Sequence, residues 1–178
     1  MNFSNYSIRL LAKNDSKAFF HLIEMNRSRL GFFAGTISKN KSLEETQLYL
    51  IEVMERMAAK TYFPYVIIDN TTNAMAGFID VKNIDWNIPK AELGCFMDEG
   101  FLKKGIAHQA LNLVIQHLFA ELGFQKLFLR THKENTSARK LAESCGFELE
   151  GTIRKDYKTS SGELVDLLYY GNINAPRK

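Results

Sequence analysis

Residues 101–120, FLKKGIAHQALNLVIQHLFA, set two lysines and a glycine directly ahead of an amphipathic stretch. Ile106, Ala110, Val114 and Leu118, with Leu111 and Ile115 beside them, recur at helical spacing and would anchor that helix to a core. The first four N–H groups of a helix have no partner within it, and the aligned peptide dipoles leave partial positive charge there. A phosphate can therefore be held by backbone alone. Gly105 lets the backbone come close, and Lys103 and Lys104 add charge at the mouth. The same pattern also describes an ordinary loop with a solvated charge pair, so the rest of the chain has to decide.

The 178 residues are read as a single domain, 1–178, long enough to bury roughly 70% of the unfolded surface without disulfides. The two cysteines, Cys95 and Cys145, are far apart, form no C-x-x-C and read as core thiols in a reducing compartment. His21, His108, His117 and His132 make no H-x-x-x-H pair, so no metal site is expected. The N-terminal residues lack the apolar run of a signal peptide and no segment has the length of a membrane span. A soluble, cytoplasmic protein with no membrane partner is expected. A net charge of +3 with no stretch that interleaves basic and aromatic residues argues against nucleic acid, whereas a polyanionic small molecule would match the excess.

Ser7 to Ala12 reads as a strand, followed by a helix capped by Asn14 or Asp15 and running toward Leu30. A loop through Gly35 leads to S-L-E-E at Ser42, a capping box for a second helix whose apolar set includes Leu43, Leu48, Leu50, Ile51, Met54 and Met57. Tyr62–Ile68 and Met75–Val81, separated by DNTTN, form an antiparallel hairpin, with Pro64 demoting the start of the first run to an edge or a bulge. In the run Lys90–Met97, Gly94 marks a bulge or a close approach by a ligand. After the helix from Gly105 come a strand at Lys126–Thr131, a helix at Asn135–Ser144 capped by Asn135 or Thr136, and strands Phe147–Ile153 and Leu164–Tyr170 joined by a loop with Ser160, Ser161 and Gly162. The expectation is one α/β domain with a mixed, mostly antiparallel central sheet flanked by about four helices.

The order KAELGCFM, LKKGIA, helix, strand, then NTSARKLAESCGF resembles the GNAT superfamily of acetyl-coenzyme A dependent N-acetyltransferases. Gly105 and Ala107 match its pyrophosphate loop Q/R-x-x-G-x-G/A, Asn135 its asparagine, and Gly146 with Phe147 its G-F. I-R-L-L, N-R-S-R-L, A-E-L-G and the closing G-x-x-R-x-x-Y with V-D-L-L-Y-Y are similar to the ribosomal-protein N-terminal acetyltransferase branch, the RimJ and RimL type. The resemblance covers residues 6–170. It implies a GNAT-like domain, acetyl-coenzyme A as cosubstrate without a metal, and a homodimer compatible with the branch. Three positions depart from the pattern: Leu102 opens the pyrophosphate loop, Ala138 replaces the serine of N-x-x-S with Ser137 one place earlier, and Ala142 stands where many relatives carry a tyrosine.

On that resemblance Lys103, Lys104, Gly105, Ile106, Ala107 and His108 would form the pyrophosphate cradle, and Cys95, Phe96 and Met97 the strand that pairs with the pantetheine arm, with Asn135 bonding the arm. An N–H near the strand's irregularity would polarise the thioester carbonyl. An α-amine with a pKa of about 8 has to lose a proton before attack, and Glu92 is the candidate base or, on the plainer reading, a structural carboxylate. Ser137 and Tyr157 are candidates to reprotonate the thiolate, each with a plain structural alternative, and solvent is a third donor. Arg27 and Arg29, with Glu24, and Phe32, Phe33 and Trp86 are candidates for the acceptor site. The acceptor would be the N-terminal amine of a protein or peptide. The alternatives are a small amine such as a polyamine, amino acid or drug, or a coenzyme A binding module without turnover.

Overall fold

The computed structural model describes residues 1–159 and 162–174; Ser160, Ser161, residues 175–178 and the side chains of Phe32 and Ala34 lie outside the described set. Eight strands alternate with helices: β1 (Asn2–Phe3), β2 (Tyr6–Leu10), α1 (Ser16–Asn26), α2 (Ala34–Ser38), α3 (Leu43–Ala58), β3 (Phe63–Asp69), β4 (Ala74–Asp85), β5 (Lys90–Met97), α4 (Ile106–Ala120), β6 (Lys126–His132), α5 (Thr136–Ser144), β7 (Glu148–Lys158) and β8 (Leu164–Ile173). They form one sheet in the order β1-β2-β3-β4-β5-β6-β8-β7, antiparallel throughout except between β5 and β6. A parallel pair needs a long crossover, and α4 provides it. The mixed, mostly antiparallel α/β sheet expected from sequence is therefore present. The five-residue helix α2 is an addition in what was read as loop.

The sheet is covered on both faces. One core joins Ile79, Val81, Leu93 and Met97 of the sheet to Ile106, Ala110, Leu111, Val114 and Leu118 of α4 and Ala142 of α5. The other joins Phe78 and Phe96 to Phe19, Leu22 and Ile23 of α1 and Tyr49, Leu50 and Val53 of α3. The apolar stripe read for α4 is buried throughout. That read for α3 is rotated, because Thr46, Tyr49, Leu50 and Val53 face the core while Leu48 and Ile51 are exposed.

Local bonds explain the remaining differences. Helix α1 stops at Asn26 rather than near Leu30. The Asn26 amide Nδ2 donates to Leu22 O at 2.9 Å and to Asp98 Oδ2 at 2.8 Å, and the chain tightens into a 3₁₀ turn at Arg27–Arg29. Asp15 does not cap α1 with its side chain. Its carboxylate accepts from Ala12 N–H at 2.8 Å and from Arg9 at 2.6 and 2.8 Å. At α3, Ser42 Oγ accepts from Glu45 N–H at 3.2 Å, but Glu45 reaches back to Lys41 N–H, at 3.0 Å, instead of Ser42. Pro64 lies in a strand paired on both sides and not at an edge. It pairs with Asp80 next to the strand's start, its carbonyl accepts from Leu11 N–H, and the irregularity falls between Ile67 and Ile68.

Candidate active site

Strands β5 and β6 pair only as far as Glu92 and Phe128, although β5 continues to Met97 and β6 to His132. Beyond that point the strands separate. A cleft of about 610 Å³ opens between them, walled by Leu93–Met97 on one side and Leu129–Thr131 on the other. Its walls draw on both faces of the sheet, with Ala107, Leu111 and Leu141 from the α4–α5 layer, Leu30 and Phe33 from the opposite layer, and Lys82 from β4.

The separation leaves one edge of β5 without a partner strand. Alternate residues of an antiparallel pair point their backbone groups at the partner. Asp98 N–H bonds Ala76 O at 2.9 Å, so the residues in phase with it, Phe96 and Gly94, turn their backbone toward β4, while Cys95 and Met97 present theirs to the cleft. An extended, amide-rich chain fits that edge. Phe96 contributes its ring instead, edge-on to Phe33 at 4.9 Å between centroids. Cys95, read as a core thiol, is a half-buried wall of the cleft, and burial pushes its thiol up to about 12.

Next to this edge, Gly105 takes φ 73° at the start of α4 and Lys103 takes φ 60°. Only glycine enters that left-handed region at little cost. The first bond of the helix runs from Gln109 N–H to Gly105 O at 3.2 Å, which leaves the N–H groups of Ile106, Ala107 and His108 for a ligand. A Cβ added to Gly105 would meet only Gln109 Nε2, at 3.9 Å, so the approach is open. Unpaired N–H groups at the start of a helix can hold an anion. Lys104 is folded back, donating to Gly100 O at 2.8 Å, and the His108 ring lies 3.2 Å from Ser144 O and 3.1 Å from Asn112. Across the cleft, Asn135 Oδ1 caps α5 by accepting from Ala138 N–H at 3.1 Å, so its Nδ2 is the group left for a ligand. Ser137 and Ala138 both line the cleft.

On the opposite layer the charges are interlocked. Glu92, 6% exposed, accepts through Oε2 from Asn83 Nδ2 at 2.7 Å and from Arg130 Nη2 at 2.9 Å, and Oε1 has no partner among the described residues. Asn83 reaches it from an irregularity in β4, at φ 49°. Arg130 also binds Asp156 at 2.8 Å. Burial alone would lower the Arg130 pKa, but its bonds to the two carboxylates hold it above its ordinary value. Asp80 is buried behind the wall against Lys82 at 3.2 Å. Burial raises its pKa and Lys82 opposes the shift. Gly94 exists for this carboxylate, since a Cβ there would collide with Asp80 Oδ1. The close approach read at Gly94 is thus by a side chain of β4.

Tyr157 lies on β7, which extends to Lys158, and its hydroxyl donates to Gly31 O at 2.7 Å. Arg29 and Phe33 line the cleft. Arg27 does not; it is bound to Glu24 at 2.6 Å and to Asn40 O at 2.8 Å. Trp86 stacks on Phe124 and donates to Lys60 O, away from the cleft. Asp80, Lys82 and Arg130 had no signal in the sequence beyond being charges in strands. No cluster able to hold a metal occurs among the described residues.

An anion cradle, an unpaired strand edge and a cleft between splayed parallel strands together suit an extended, phosphate-bearing ligand such as an acyl-coenzyme A. The family model for the acetyltransferase (GNAT) domain matches residues 7–148, and the chain belongs to the GNAT acetyltransferases. It is 31% identical to the putative ribosomal N-acetyltransferase YdaF of Bacillus subtilis, over 92% of this chain and 88% of that one. It is 23% identical to the spermidine N(1)-acetyltransferase of Vibrio cholerae, over 86% and 85% respectively. Its fold superposes with a TM-score of 0.86 on the RimL ribosomal L7/L12 alpha-N-protein acetyltransferase in complex with coenzyme A, at 22% identity over 96% of this chain and 95% of that one. GNAT enzymes use acetyl-coenzyme A, and this chain is an N-acetyltransferase.

Proposed function

We propose that the chain transfers the acetyl group of acetyl-coenzyme A to the N-terminal α-amine of a peptide or protein, of the ribosomal-protein type, by direct attack within a ternary complex in the cytoplasm. The observation that carries this reading is a cleft with walls from both layers, where one side offers the anion cradle and the unpaired β5 edge and the other offers Glu92. Acetyl-coenzyme A supplies the activated thioester. The N–H groups at Ile106–His108 hold its pyrophosphate, and the backbone of Cys95 and Met97 with Asn135 Nδ2 aligns the arm. Glu92 Oε1 takes a proton from the acceptor's ammonium directly or through a water, so that the neutral amine attacks the thioester, while Arg130 and Asn83 fix the carboxylate through Oε2. Tyr157, whose hydroxyl rests on Gly31 O at the cleft wall, Ser137 or solvent returns a proton to the thiolate.

The likeness to YdaF and RimL favours a protein amine, and the likeness to spermidine N(1)-acetyltransferase favours a small amine as the second reading. A thiol-release assay with acetyl-coenzyme A against peptides starting with Ser, Ala, Thr or Met, polyamines and amino acids, with products identified by mass, separates them. Transfer to a peptide α-amine is expected. Transfer to small amines alone would replace the first reading by the second.

A further inference from the structure

Among the described residues the cleft wall carries three cations, Arg29, Lys82 and Arg130, against one carboxylate, Glu92. Their partners differ. Arg130 is matched by Glu92 at 2.9 Å and Asp156 at 2.8 Å. Lys82 is matched from behind by Asp80, whose carboxylate is 3% exposed and beyond the reach of a ligand. Arg29 is exposed and forms no ion pair among the described residues. Its one hydrogen bond there, to Asn26 Oδ1 at 2.7 Å, orients the guanidinium and uses one of five N–H donors. Asn26 is in turn buried and fixed by Leu22 O and Asp98, so Arg29 is aimed from a rigid base.

We propose that the acceptor is an amine carried beside a carboxylate and that Arg29, with Lys82, selects it. This rests on the acetyl-transfer reading above. A guanidinium with free parallel N–H groups binds a carboxylate in a fork geometry, while a polyamine entering the same cleft would meet three cations and no open carboxylate other than Glu92. The carboxylate belongs either to an acidic side chain near a peptide N-terminus or to a free amino acid. Both present the same chemistry to Arg29.

The test compares Ser-Glu-Glu, Ser-Gln-Gln and Ser-Lys-Lys peptides of matched length with free glutamate and spermidine at saturating acetyl-coenzyme A. The acidic peptide should exceed the basic one in kcat/KM by on the order of tenfold, with the gap narrowing at high salt. Arg29→Glu should reverse that order without raising the KM for acetyl-coenzyme A. Greater transfer to free glutamate than to Ser-Glu-Glu would assign the carboxylate to an amino acid, and the opposite order to a peptide. Spermidine or the basic peptide as the best acceptor would overturn the proposal, and so would an Arg29→Glu enzyme whose only change is a higher acetyl-coenzyme A KM. If Arg29→Glu does not fold, the wild-type peptide series and Arg29→Gln carry the same comparison. Acetyl-coenzyme A binding by calorimetry with no transfer to any acceptor would overturn the transfer reading itself, whereas transfer indifferent to charge would overturn this proposal alone.

Discussion

The two sides of the cleft are built by different means. On the α4–α5 side the groups that face the cleft are mostly backbone, namely N–H groups of a helix start, a left-handed glycine and an unpaired strand edge, with the Asn135 amide beside them. On the opposite side they are side chains drawn from five separate segments, namely the turn after α1 and strands β4, β5, β6 and β7. A backbone site recognises what is common to one cosubstrate, and its requirements are local. A site of side chains can vary at a member outside the ion-pair network, such as Arg29, while Glu92, Arg130 and Asp156 hold one another in place. The first is suited to a fixed partner and the second to variation in acceptor.

Substitutions on each side should therefore fail differently. The largest effect is expected at Arg130→Ala, which leaves Glu92 buried without its cation. A loss of roughly 3 kcal/mol is expected, because removing one partner of a buried pair strands the other. Denaturant melts would check it, together with a drop in turnover at unchanged acetyl-coenzyme A affinity. Gly94→Ala comes next, at about 2 kcal/mol, since its Cβ would displace the Asp80 carboxylate. Its kinetic defect should appear in the acceptor KM.

Gly105→Ala sharpens the contrast from the other side. The site has room for the methyl group, so the cost is conformational, about 1 kcal/mol, and the KM for acetyl-coenzyme A should rise while that for the acceptor stays put. The smallest effect lies on neither side. Burial would raise the pKa of Asp15, but the bonds from Arg9 and Ala12 outweigh it and lower the value. A depressed carboxylate contributes stability above its unfolded pKa of about 3.9 and loses it as pH falls through the folded value. Asp15→Asn should flatten the stability–pH curve in that acid window, by under about 1 kcal/mol because Arg9 is half exposed, and leave both KM values unchanged.

The same contrast explains what was legible in the sequence. Gly105, the stripe of α4, the Asn135 cap and the succession of strands and helices along the chain follow from periodicity and glycine chemistry, which act over a few neighbouring residues. Glu92 could be named but not its environment, since Asn83 and Arg130 reach it, and Asp156 reaches Arg130, from three other strands. Gly94 looked like a place for a ligand because the sequence cannot show that Asp80 lies opposite it across the β4–β5 ladder. Asn26 ended its helix early through a bond to Asp98, a residue 72 positions away. Register and long-range pairing decide these features, and no local pattern encodes them.

Glu92→Gln tests the central claim most directly, because it removes the proton-accepting charge and keeps the shape. Turnover with a peptide acceptor should fall by on the order of a hundredfold, while acetyl-coenzyme A binding by calorimetry remains that of the wild type. Undiminished turnover with the same affinity would take Glu92 out of the mechanism and leave it a structural carboxylate held by Arg130.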